Sequence, residues 1–159
     1  SARAEELDGL GFSRLEQVRG QLRDLFELRT MFEPRCAALA CRRAAPEELA
    51  DILEKGAEVE RCIRAGRDRT RADQEFHTAI VRAAHNQFLL RLLPMIHQAV
   101  STAVERGGPE EQLAEDTLRD HALLLEFFRK RDGAGAEHAM AIHMLHSMDV
   151  MGLEEKSTG

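Results

Sequence analysis

Asp73 and His77 stand four residues apart. On a helix that spacing sends both side chains from one face, where they can share one ion. Phe76 and Ile80 bracket the pair, so the face reads as inward. A carboxylate and an imidazole buried together need a partner, and a divalent cation satisfies both. Taken alone the pattern is common, because a hydrogen-bonded surface pair has the same spacing. His121, between Leu118 and Leu124-Leu125, and His143, three residues after Met140, set two more imidazoles on apolar faces. Each also fits a core histidine satisfied by a backbone carbonyl. Three inward histidines and one aspartate on three helices suit the metal sites that form where bundle helices converge. The other histidines read differently. His146 is a neighbour one turn beyond His143, and His138 faces solvent beside Glu137. His85 sits at a helix end, where a cation favours the dipole, and His97 has a mixed setting.

The elements that must position these groups are helices. Trp and Tyr are absent and β-branched residues scarce, so Leu, Ala, Ile, Val and Met must build the core. Ser13-Arg14-Leu15-Glu16 reads as a capping box that starts a first helix after a linker over residues 1–12. Leu15, Val18, Leu22, Leu25, Leu28 and Phe32 follow at helical spacing, with a kink or restart expected at Pro34. Pro46 with Glu47 and Glu48 opens a second helix that stops at Gly66. A third runs from about 68 to 85, and Asn86 breaks the chain before a fourth over 87–105, which contains Pro94. Gly107-Gly108-Pro109 ends it. A fifth spans about 110–130, Asp132-Gly133 turns, and a sixth runs from about 134 to 153. Residues 154–159 read as a frayed tail. The expectation is all-α: an antiparallel bundle of about six helices with a metal site in its core.

Composition excludes several classes. The net charge of −6 denies the chain the basic face of a free-standing DNA-binding domain. Arg61, Arg64, Arg67, Arg69 and Arg71 cluster, but between two helices, as a solvated connection. Cys36, Cys41 and Cys62 form no CxxC pair, and the odd count argues against a secreted disulfide framework. No apolar run nears the roughly 18 residues of a membrane span. The expected location is cytoplasmic, with reduced thiols in the core.

An ordered set of short motifs then stands out: Leu28-Arg29 with Phe32-Glu33-Pro34, Asp73-Gln74-Glu75-Phe76-His77, Ala84-His85-Asn86, Asp120-His121, and Met140-Ala141-Ile142-His143. Over roughly residues 25–152 the chain resembles the FCD effector-binding domain of GntR-type transcription regulators of the FadR subfamily. His85 departs from it, since the family more often has glycine there. The resemblance implies metal ligands at Asp73, His77, His121 and His143, and a small carboxylate effector contacted by Arg29 and Asn86. The ion would be one divalent transition metal, zinc first, with nickel, cobalt, iron and manganese as alternatives. Arg29 would pair the carboxylate bidentately. Without the resemblance, Arg29 reads as a surface arginine and Asn86 as a helix terminator. The resemblance also implies a homodimer, and DNA contact through an N-terminal winged helix-turn-helix outside this chain. The domain itself would occupy residues 13–153.

Two other classes compete. An open metal site can support an enzyme, but no histidine has a glutamate three residues before it, and His-Glu-x-x-His is absent. A bundle whose metal only stabilises would bind ion but no effector. The charge balance yields a test. The 159-residue chain should show no salt-sensitive binding to duplex DNA. Tight retention of an operator fragment in a mobility-shift assay would contradict it.

Overall fold

The structure, a computed structural model, describes the backbone of residues 2–105 and 110–153 and the side-chain surroundings of 21–98 and 111–153. Six helices follow one another: α1 (Ala2–Arg43), α2 (Pro46–Arg64), α3 (Thr70–Ala83), α4 (Gln87–Glu105), α5 (Glu110–Arg129) and α6 (Gly133–Val150). No strand occurs among the described residues. The expected breaks at Gly107-Gly108-Pro109 and the tail over 154–159 lie outside them.

The expectation for the first helix needs correction. Its backbone is helical from Ala2, so Ser13 lies inside the helix rather than at its start, and residues 2–12 belong to the same helix. Ala, Arg, Glu and Leu dominate that stretch. Two interior glycines cost only about 1 kcal/mol each, too little to stop a helix already under way. Pro34 also stays inside α1, and Pro94 inside α4, with no restart at either.

The helix ends follow their local chemistry. The Glu48 carboxylate accepts from the Ala45 backbone N–H at 3.0 Å where α2 begins. Asp132 Oδ1 accepts from the Gly135 N–H at 2.9 Å and caps α6. Asn86 Oδ1 accepts from the N–H groups of Phe88 (3.1 Å) and Leu89 (3.3 Å) and so starts α4. The residue before it, His85, has φ +56°. This left-handed backbone explains why the resemblance leads one to expect glycine there.

In the bundle α1 packs on α6 and α3, α5 bridges α6 and α2, and α3 lies between α2 and α4. The α1–α6 seam is lined by small residues. Cys36, Ala37, Ala40 and Cys41 meet Ala136, Ala139, Met140 and Met144, all buried. Burial, then the Glu33 charge, pushes the Cys36 thiol up to about 12, so it serves as an inert small core residue. Of the arginine cluster, Arg61 pairs with Glu54 and Glu58, Arg64 with Glu60 and Arg71 with Glu75, all on exposed faces.

Gly66 closes α2. At φ +66° its N–H bonds the Ile63 carbonyl, while the Arg67 N–H reaches back to Cys62. An added Cβ would meet nothing within 4 Å, so substitution here costs conformational strain alone. Gly66→Ala should lower stability by about 1 kcal/mol in urea unfolding. A neutral result would contradict the left-handed cap.

Candidate functional site

Four helices send polar side chains into one part of the core. Arg29 and Glu33 lie one turn apart on α1, as do Asp73 and His77 on α3, while α5 supplies the adjacent pair Asp120 and His121 and α6 supplies His143, with exposed His146 beside it. Arg29, Glu33, His77, Asp120, His121 and His143 are all buried. Asp73 keeps 29% of its side chain exposed, but its Oδ1 is buried.

Two carboxylates set the orientation of two imidazoles. His77 Nδ1 lies 3.0 Å from Glu33 Oε1. His143 Nδ1 lies 3.0 Å from Asp120 Oδ2. An ionised carboxylate only accepts, so each Nδ1 carries the proton and each Nε2 is left as a lone-pair donor. The remaining atoms converge. Asp73 Oδ1 is 3.6 Å from His77 Nε2 and 3.5 Å from His121 Nε2, and the Nε2 atoms of His121 and His143 are 3.3 Å apart. The three histidines each offer a nitrogen within 4.8 Å of the others. Asp73 Oδ1 and His77 Nε2 are buried with no hydrogen-bond partner.

The charges explain the ionisation states. Burial would raise the Glu33 carboxyl, but Arg29, whose Nε donates to Glu33 Oε2 at 2.9 Å, and His77 hold it well below the usual carboxylate range. Asp73 is likewise lowered against burial by His77, His121 and His143. For His77, burial lowers its basicity, yet Glu33 and Asp73 prevail and raise it. His121 has Asp73 Oδ1 3.5 Å from its Nε2 but no carboxylate at its Nδ1, and the opposing causes prevail. Burial and then the neighbouring His143 bring it down to about 3, so it stays neutral. Its Nδ1 is buried without a partner.

The four residues singled out as ligands are thus brought together. Ion–ligand bonds of about 2.0–2.1 Å put neighbouring donor atoms about 2.9 Å apart in an octahedron that keeps two positions open and about 3.4 Å apart in a tetrahedron, and three of the separations here, 3.3, 3.5 and 3.6 Å, lie near that range. One carboxylate oxygen and three imidazole nitrogens are a donor set for a borderline divalent metal. Beside them lies a cavity of about 80 Å³ lined by Arg29, Asp73, Thr117, His143, Met144 and Ser147 among others. Arg29 is therefore not a surface arginine. It is buried, stacks over Phe26 at 4.9 Å, and faces this cavity. Asn86 is the exception. It is exposed, its amide oxygen caps α4, and it lines a separate surface cavity with Arg82 and His85. Its placement as an effector contact is corrected on that ground. His138 is exposed, and His85 pairs with Glu48 at 3.0 Å.

Sequence reasoning gave Glu33 and Asp120 no role. The signal was available: both fall on inward stripes, Glu33 with Phe26 and Cys36, and Asp120 with Thr117 and Leu124. A carboxylate on such a stripe must have a charged or donating partner. Asp120 also holds His146, whose Nδ1 is 3.0 Å away. That contact, lowering Asp120 against burial together with His143, makes His146 an outer neighbour of the site.

An all-helical bundle with a converging carboxylate–histidine cluster beside a cavity belongs to the class of helical proteins that build ligand sites in their cores. This chain is a member of the FCD domain family, whose model matches residues 24–146. It is 26% identical over 154 residues to the uncharacterized HTH-type transcriptional regulator YdhC of Bacillus subtilis (strain 168), covering 91% of this chain and 69% of that protein. It is 32% identical over 126 residues to the galactonate operon transcriptional repressor of Escherichia coli (strain K12), covering 76% of this chain and 53% of that protein. Among solved structures it is similar to Streptococcus agalactiae GntR, with a TM-score of 0.73, 26% identity, and coverage of 88% of this chain and 64% of that one. E. coli McbR/YncC shares the fold, with a TM-score of 0.71 at 20% identity, over 83% of this chain and 64% of that one. The chain thus spans roughly half to two thirds of these proteins. Its family and relatives are transcription regulators, and the domain is a regulatory, ligand-sensing one rather than an enzyme.

The Glu33 geometry yields a stability test. Glu33→Gln strips the charge from a buried site and leaves Arg29 without its counter-ion, so unfolding free energy should fall by about 3–5 kcal/mol. Breaking the exposed Arg35–Glu137 pair (3.7 Å) with Arg35→Gln should cost less than about 1 kcal/mol. Equal effects in paired urea melts would refute the buried network.

Proposed function

We propose that this domain senses a small carboxylate through a divalent metal held by Asp73, His77, His121 and His143. The observation that carries the reading is the convergence of three imidazole nitrogens with the Asp73 carboxylate beside two of them, Asp73 Oδ1 and His77 Nε2 being buried with no hydrogen-bond partner. Zinc leads among the candidates, with nickel, cobalt, iron and manganese also suited to this donor set. When bound, the ion supplies positive charge and open coordination positions. The chain's own residues do the rest. Glu33 and Asp120 fix the tautomers of His77 and His143. Arg29 donates Nε to Glu33, leaving its terminal nitrogens as a fork for a carboxylate in the adjoining cavity. One water occupies roughly 10–15 Å³ of such a space, so an acid of a few heavy atoms fits the cavity of about 80 Å³.

The regulator containing this domain would act as a homodimer, with DNA contacted through an N-terminal winged helix-turn-helix. The galactonate operon repressor's name agrees with an organic-acid effector. An acid bridging Arg29 on α1 and the ligands on α3, α5 and α6 would tie four helices together. That favours one arrangement of the bundle over another and transmits binding to the DNA-binding module. The opposing reading, a metal with a purely structural role, lacks a use for the cavity beside Arg29.

Elemental analysis should find about one divalent ion per chain. Chelation should lower thermal stability, since an ion held at 1,000 times its Kd contributes about 4 kcal/mol. Asp73→Ala and His143→Ala should each weaken metal uptake, and full metal retention by both would dismiss the site. A panel of small organic acids should raise the melting temperature of the metal-loaded protein only. Arg29→Lys keeps a charge near Glu33 but loses the fork, so it should keep the metal and lose most of the acid response. An undiminished response would remove Arg29 from the effector site.

A further inference from the structure

A second, smaller recess adjoins the main cavity. It is lined by Arg29, Glu33, Asp73, Gln74, His77 and His97, with Ile96 closing one side. Arg29, Asp73 and Gln74 also border the larger cavity, so the two spaces meet at the residues read above as the carboxylate and metal site. The recess measures about 10 Å³ against about 80 Å³ for its neighbour. That is the room of roughly one water-sized atom.

His97 is the feature of this recess that nothing else employs. Its Nε2 is buried and has no hydrogen-bond partner. The backbone holds the ring in place: the Gln74 side-chain amide donates to the His97 carbonyl at 3.3 Å and ties α4 to α3. Burial, and then His77 and Arg29 beside it, keep this imidazole below its usual range. A neutral ring can donate or accept. The Glu33 carboxylate opposite is already engaged by Arg29 and His77.

The occupant must therefore be one oxygen-sized polar group next to a bound carboxylate. A methyl group would leave Nε2 unsatisfied. An ammonium would meet Arg29 and the metal charge. A hydroxyl suits both the size and the ring. We propose that His97 is a specificity-determining residue whose Nε2 takes a hydroxyl of the effector, so that the sensed molecule is a short hydroxy acid rather than a plain carboxylic acid. This rests on the reading of Arg29 and the metal ligands as the carboxylate site.

Calorimetry on the metal-loaded protein tests it, with glycolate against acetate and 3-hydroxypropionate against propionate. In at least one pair the hydroxy acid should bind more tightly by about three- to tenfold, the worth of one net hydrogen bond. His97→Ala should erase that preference while metal content and the affinity for the plain acid stay unchanged. His97→Gln, whose amide nitrogen reaches the position of Nε2, should restore part of it and guards against a folding defect in the alanine variant. A preference that survives in His97→Ala would assign the hydroxyl to the metal and overturn the proposal. Equal affinity for each pair in the unaltered protein would leave only a water in the recess and overturn it too, with the carboxylate site intact. Failure of every acid to bind would overturn the effector reading as well.

Discussion

Burying the Glu33 carboxylate sets the terms for the rest of the core. An ionised acid cannot stay in an apolar bundle without compensation. The chain answers with Arg29 on the same helix and His77 on α3. Once Glu33 is charged, His77 must present its protonated nitrogen to it and its bare nitrogen to Asp73. Asp120 repeats the device on the other side with His143. The two carboxylates thus determine which atoms face the centre, and the site's geometry follows from their hydrogen bonds rather than from the ligands alone.

This arrangement makes Arg29 serve two masters. Its Nε belongs to the internal network, and its side chain lines the cavity. Removing it outright would leave Glu33 uncompensated and disturb His77 along with any bound acid. On the proposed reading, effector recognition and ligand orientation share one side chain, and α1 would not respond to one without the other.

Much of the fold was legible in local signals. Pro46, Gly66, Asn86 and the Asp132-Gly133 turn mark helix boundaries by backbone chemistry that depends on neighbours a few residues away, and the observed ends fall within a few residues of them. The Ser13 capping box misled because a cap motif marks a start only when the preceding chain is not already helical. The four converging residues were readable because each sits on an apolar stripe and the motifs occur in family order. Asn86 was misplaced, since an amide suited to a ligand is equally suited to a helix N-cap, and only the fold decides. Glu33 and Asp120 were passed over because their meaning lies in partners distant in sequence. A single-helix pattern cannot show a contact with His77 or His143. His97 escaped for the same reason: its ring is defined by a recess formed from three helices.

The contacts that orient the site join residues 44 and 23 positions apart, Glu33 to His77 and Asp120 to His143. They can form only after both partners have emerged during synthesis, because loop closure must precede them. A nascent chain lacking α6 has no His143 and hence no complete donor set. On the proposed reading, ion capture would be a late event that reports on completed assembly, and a chain released too early would expose its histidines singly.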